Sequence, residues 1–193
     1  MDRSAISAGQ TPAYFYELDA EDRIVSASES WDEFARENGG EHLVFARVSN
    51  TKIWDHIADP KTAALYRRIY ASARRGRSVR FFLRCDSPTV RRMLSVTVEK
   101  NSDNDRLRVS TLLFRADLRD QVSLRADNDA DADMSVPVCS WCEKVRLPGG
   151  DWQEVEGAAA FLDRQEPRAN CQISYAICPG CLARIEDQLD RAR

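Results

Sequence analysis

The run VRFFLRC at residues 79–85, followed by RRMLSVTV at 91–98 and LRVSTLLF at 107–114, decides the fold. In the first, Val79, Phe81, Leu83 and Cys85 alternate with Arg80, Phe82 and Arg84. In the second, Arg92, Leu94, Val96 and Val98 alternate with Arg91, Met93, Ser95 and Thr97. Successive side chains of a strand point to opposite faces, so a period of two reads as consecutive strands that each bury one face. The polar stretch Asn101-Ser-Asp-Asn-Asp105 joins the last two as a hairpin. Cys85 falls with the inward set and reads as core.

Upstream, YFYEL at 14–18 and IVSA at 24–27 flank an acidic turn and read as another hairpin. Ser28 or Ser30 is placed to cap a helix whose Trp31, Phe34 and Ala35 share a face, with Gly39-Gly40 ending it. A helical turn around Ile53, Trp54 and Ile57 comes next. Asp59-Pro60 then starts a longer helix: the acid accepts from the first turn, and proline lacks only an N–H that turn leaves unbonded. Ala63, Tyr66, Ile69, Tyr70 and Ala73 recur at helical spacing, Arg67, Arg68, Arg74 and Arg75 take the other side, and Gly76 closes it.

The order is two strands, three helical pieces, three strands. With LDAEDRIVSASESW at 18–31 as opening hairpin and first helix, and IWDHIADP at 53–60 as the middle helices, residues 11–115 resemble a PAS domain. The resemblance implies an α+β fold, a five-stranded antiparallel sheet with helices on one face, serving sensing or dimerisation around a cavity open to a small-molecule ligand. Haem and flavin are not expected there: a lone His56 beside Trp54 reads as a packing residue, and the family's flavin-linking Asn-Cys-Arg-Phe type stretch is missing. Phe82, Met93, Leu112 and Phe114 fall on the face away from the helices, and four apolar groups gathered there point to a homodimer.

The C-terminal part turns on cysteine spacing. Cys139-Ser-Trp-Cys142 and Cys178-Pro-Gly-Cys181 are two C-x-x-C pairs, each able to bring two thiolates from one tight turn to a single ion. Together they make a four-sulfur zinc site, with Gly150 to Leu162 supplying a helix or hairpin between the pairs and Trp152, Val155, Ala159 and Leu162 as its apolar face. VCSWCEKVRLPGGDWQEVE at 138–156 and ISYAICPGCLARIED at 173–187 resemble a cysteine module at the C-termini of bacterial two-component and PAS-containing signalling proteins. Those copies read C-x-W-C-K-x-I-R and later H-G-I-C-P-x-C. Here Tyr175-Ala176 replace the histidine and glycine, so the site must be all sulfur. Cys171 reads as an ordinary thiol, with a spare ligand or redox partner as the alternative.

Residues 116–135 read as a short helix over Leu118 to Leu124 and a flexible acidic linker, ADNDADAD, before a module at 136–193. A module this short buries too little surface to be comfortable without a metal. The net charge of −3 gives no general pull toward nucleic acid, yet one Lys and nine Arg face a single acid, Asp86, between residues 61 and 92. That stretch reads as solvated surface or a docking face for an acidic partner, and nucleic acid is the less favoured alternative. The absence of a long apolar run or a basic-then-apolar leader predicts a cytoplasmic protein without a membrane span, in which six cysteines are thiols or metal ligands. No catalytic constellation is legible. The chain therefore reads as a non-enzymatic signal-transduction regulator, with a thiol redox sensor that releases zinc on oxidation as the alternative.

Overall fold

The computed structural model describes residues 14–122, 124, 134–162 and 171–191. Strands β1 (Tyr14–Leu18) and β2 (Ile24–Ala27) form the first hairpin. Its turn is held by Asp19, whose carboxylate accepts from the backbone N–H of Glu21 at 3.0 Å and of Arg23 at 2.8 Å. Helix α1 (Glu29–Glu37) follows Ser28, but the Ser28 hydroxyl accepts from Phe15 N instead of capping the helix. Gly39, at a positive φ of 71°, lets Gly40 N–H return to Ala35 O at 2.7 Å and close it. After the short α2 (Phe45–Val48), α3 (Pro60–Arg74) starts as Asp59 and Pro60 predict, with Thr62 N donating to the Asp59 carboxylate at 2.8 Å.

Strands β3 (Val79–Arg84), β4 (Val90–Lys100) and β5 (Leu107–Leu118) complete an antiparallel sheet in the order β2-β1-β5-β4-β3. Leu18, Val79, Phe81, Val96, Val98, Leu107 and Val109 are buried on one face against Leu65, Ile69, Tyr70 and Ala73 of α3. A bulge opposite Met93 and Leu94 skips Phe114 and breaks the alternation of β5 there, with Phe114 and Arg115 both exposed; Phe82, Met93, Leu112 and Phe114 are all exposed.

No helix covers the described residues between Leu118 and Leu124. Strand β5 runs on to Leu118, and the segment after it is bonded to the β3–β4 connection: Arg119 N donates to Thr89 O at 2.9 Å and Val122 N to Pro88 O at 3.0 Å. Those carbonyls compete with the local bonds a helix needs. The acidic stretch from Ala126 lies outside the described residues.

The C-terminal module has its own sheet, β6 (Met134–Cys139), β7 (Val145–Arg146), β8 (Trp152–Gln153) and β9 (Cys171–Ala176), in the order β8-β7-β6-β9. Strands β6 and β9 are parallel. Helix α4 (Val155–Leu162) fills the insertion between the cysteine pairs, and it buries Ala158 where the sequence pointed to Ala159. Helix α5 (Pro179–Arg191) buries Cys181, Ile185 and Leu189, one turn apart.

The two halves pack against one another. Cys139, Trp141, Ile177, Ile185 and Leu189 belong to the same hydrophobic cluster as Leu65, Ile69 and Phe81. The module also covers the sheet edge. Arg84 N of β3 donates to Trp141 O at 2.9 Å, and Gln188 of α5 donates to Arg80 O. No helix among the described residues is long and apolar enough to cross a membrane.

Candidate metal centre

Cys139 ends β6, and the chain turns back through Glu143 at a positive φ of 57°. Glu143 N donates to Cys139 O at 2.8 Å and Cys139 N to Lys144 O at 2.7 Å, so Cys139 and Cys142 stand on one tight knuckle. The second knuckle runs from β9 into α5. Leu182 N bonds Cys178 O at 3.0 Å, and Cys181 N donates to the Cys178 Sγ at 3.4 Å, so a sulfur caps the first turn where the helix dipole favours negative charge. Cys178 N donates across to Cys139 Sγ at 3.3 Å, and Arg184 reaches Cys181 Sγ at 3.5 Å.

The four sulfurs lie within 4.8 Å of one another, close enough to hold one metal ion. A tetrahedron of sulfurs with metal–sulfur bonds of about 2.3 Å has an edge of about 3.8 Å, and Cys142 Sγ lies 3.8 Å from Cys178 Sγ. Their protonation behaviour fits the same conclusion. Donation from Cys142 and Cys181 holds the Cys139 thiol far below its usual range, while giving that bond to Cys139 pushes Cys142 up to about 11 and Cys181 higher still. Four thiolates this close together repel one another, and a cation among them offsets that repulsion. The structure brings together every cysteine that the spacing singled out. Cys85 is half-buried on β3's inner side, and burial and the Glu143 carboxylate push its thiol up to about 11. The side chain of Cys171 lies outside the described residues.

Trp141, between the knuckle cysteines, is fully buried in the other half of the molecule. Its ring lies 4.7 Å from that of Phe81 and 5.5 Å from that of Tyr66. Tyr66 also faces a cavity of about 370 Å³ between α1 and the sheet, walled by Tyr14, Tyr16, Trp31, Phe34 and Val96 among others. His56 is not among the described residues lining this cavity. It is exposed, with its ring nitrogen 2.7 Å from the Thr51 hydroxyl.

The arginines between residues 61 and 92 turn largely inward, onto the chain itself. Arg68 pairs with Glu186 at 2.7 Å and Asp190 at 3.1 Å on α5, Arg84 with Glu154 at 2.6 Å, and Arg91 with Glu156 at 2.7 Å. Arg84 also bonds the buried Asp86, which Arg119 contacts at 3.1 Å, and Arg74 holds Asp22 at 2.6 Å. Three of these arginines, Arg68, Arg84 and Arg91, thus meet carboxylates of the C-terminal module.

No protein-family model and no curated protein matches the chain.

Proposed function

We propose that the chain is a non-enzymatic cytoplasmic signalling regulator: a PAS-type sensing domain in rigid contact with a zinc-stabilised module that engages another protein. Trp141 carries the reading. It stands between two metal-site cysteines, and its ring packs on Tyr66, a wall of the cavity. A change at that wall reaches the metal site across one side chain. The strand order and the single helical layer support the PAS assignment. Zinc is the ion that four thiolates in a closed tetrahedral set favour, and with every position filled by sulfur its role is structural.

The test is to strip zinc from the full chain with a chelator and follow amide exchange in β3 and α3. Protection around Phe81 and Tyr66 is expected to fall by about tenfold or more, because local opening free energy depends on packing at that point. Unchanged protection would disconnect the metal from the sensing half.

The outer face of the sheet supports a homodimer. Phe82, Met93, Leu112 and Phe114 are 42, 38, 47 and 57% exposed, and the rings of Phe82 and Phe114 meet at 4.9 Å. Wild type is expected to sediment as a dimer at concentrations on the order of tens of micromolar, and Phe114→Glu as a folded monomer, since the new carboxylate would lose its water in the interface. A monomeric wild type, or a fully dimeric variant, removes this face from consideration.

One observation favours a redox reading of the same site. Cys142 is the half-buried member of the set, 3.8 Å from the Cys178 sulfur. With peroxide as oxidant, these two metal-bound thiolates would give up two electrons to form an S–S bond, peroxide would take up those electrons with two protons from solvent and leave as two waters, and the ion would lose two ligands.

A further inference from the structure

The cavity under α1 has a definite chemistry. Its volume of about 370 Å³ falls in the range of about 300–1,000 Å³ found for small-molecule sites. Five aromatic residues contribute to its wall: Tyr14, Tyr16, Trp31, Phe34 and Tyr66. Tyr14 and Phe34 are stacked at 4.5 Å, and Trp31 sits edge-on to Tyr16 at 5.3 Å. These contacts set flat surfaces in fixed orientations, which suits another ring.

The polar groups of the wall are mostly spent within the protein. Tyr16 shares a hydrogen bond with Tyr70 at 2.9 Å, and the Trp31 indole N–H donates to Leu43 O at 2.8 Å. Asn38 donates to Phe34 O at 2.7 Å and accepts from Arg92. Arg84 is the one charged residue of the described lining, and its guanidinium is already held by Asp86 and Glu154. An anionic ligand would find no free cation, and a cationic ligand no carboxylate. The hydroxyls of Tyr14, Tyr66 and Thr111 are the uncharged groups placed to meet a ligand's polar atom, and burial keeps the two phenols protonated.

We infer that this cavity binds an uncharged, aromatic small molecule with at most a few hydrogen-bonding atoms. This rests on the sensing role proposed above and adds the chemical class of what is sensed. A charged analogue of such a molecule would bury its charge without a partner, which costs far more than the ring contacts return.

Two fluorescent probes with the same ring skeleton separate the possibilities: phenylnaphthylamine, which is neutral, and anilinonaphthalene sulfonate, which is an anion. Titrated against the full zinc-loaded chain, the neutral probe is expected to bind one per chain, and the sulfonate at least about tenfold more weakly. Ala35→Phe, which fills the cavity from α1, and Leu83→Trp, which fills it from β3, are each expected to abolish binding of the neutral probe. Phe114→Glu, on the opposite face of the sheet, should leave it unchanged. Equal affinities that the filling variants still block would overturn the chemical class and leave the sensing role standing. Binding lost in Phe114→Glu would place the probe on the outer face and overturn the site. If neither probe binds, both the ligand and the sensing role fall. Should the filling variants not fold, the comparison of the two probes with Phe114→Glu decides the question alone.

Discussion

Cys178→Ser is expected to cost the protein its metal and, with it, much of the order of both halves. The Cys178 sulfur lies 3.8 Å from that of Cys142 and accepts from Cys181 N, and its own backbone N–H supports Cys139. A serine hydroxyl stays protonated at neutral pH and cannot complete the set. Zinc binding by four-ligand sites contributes roughly 10–16 kcal/mol of apparent free energy, as much as the whole stability of a typical domain, about 5–15 kcal/mol. The loss should not stay local, because Cys139, Trp141, Cys181, Ile185 and Leu189 are part of the central hydrophobic cluster. Wild type should carry about one zinc per chain, and the variant well below that, with a melting midpoint lower by at least about 10 °C. A variant with full zinc content and an unchanged melt would show that the cluster is not a metal site.

Trp141→Ala separates packing from ligation, since it removes no thiolate. Truncating a buried tryptophan leaves a cavity and costs about 3–5 kcal/mol, which for a chain of this size lowers the melting midpoint by about 10 °C. The ring meets Phe81 and Tyr66, so the cost should fall on the β3 and α3 region as well as on the knuckle. Zinc content is expected to stay near one per chain. A double-mutant cycle with Phe81→Ala should show the two losses to be strongly non-additive. Additive losses, or a normal melt for the N-terminal sheet, would confine Trp141 to the module.

Much of this architecture was legible because local rules decide it. Alternation alone assigned the inner faces of β3 and β4 and put Phe82, Met93, Leu112 and Phe114 outside. Asp59-Pro60 fixed the start of α3, and two C-x-x-C pairs fixed the four-cysteine cluster. What the sequence withheld depends on distant partners. MSVPVC carries a proline and too few residues to announce a strand, and β6 exists because β9 pairs with it in parallel. Leu118 to Leu124 has helical-looking apolar residues, yet Thr89 O and Pro88 O take the backbone N–H groups of Arg119 and Val122. The spacing of Arg68, Arg84 and Arg91 signals a charged face, and nothing local says that Glu186, Glu154 and Glu156 of the same chain will meet it.

The contacts of β3 with the module set an order for biosynthesis. The sheet of β1 to β5 can pair as it is made, but β3 is left at its border with Arg84 N and Arg80 O facing outward, and these find partners only in Trp141 O and Gln188. An unpaired strand edge invites pairing with another chain. Both partners belong to elements arranged around the cysteines, and the second cysteine pair is translated long after β3. Between those two moments the nascent protein carries an open edge and an unfilled slot beside Phe81, so closure of the four-cysteine cluster is the step at which that edge is covered.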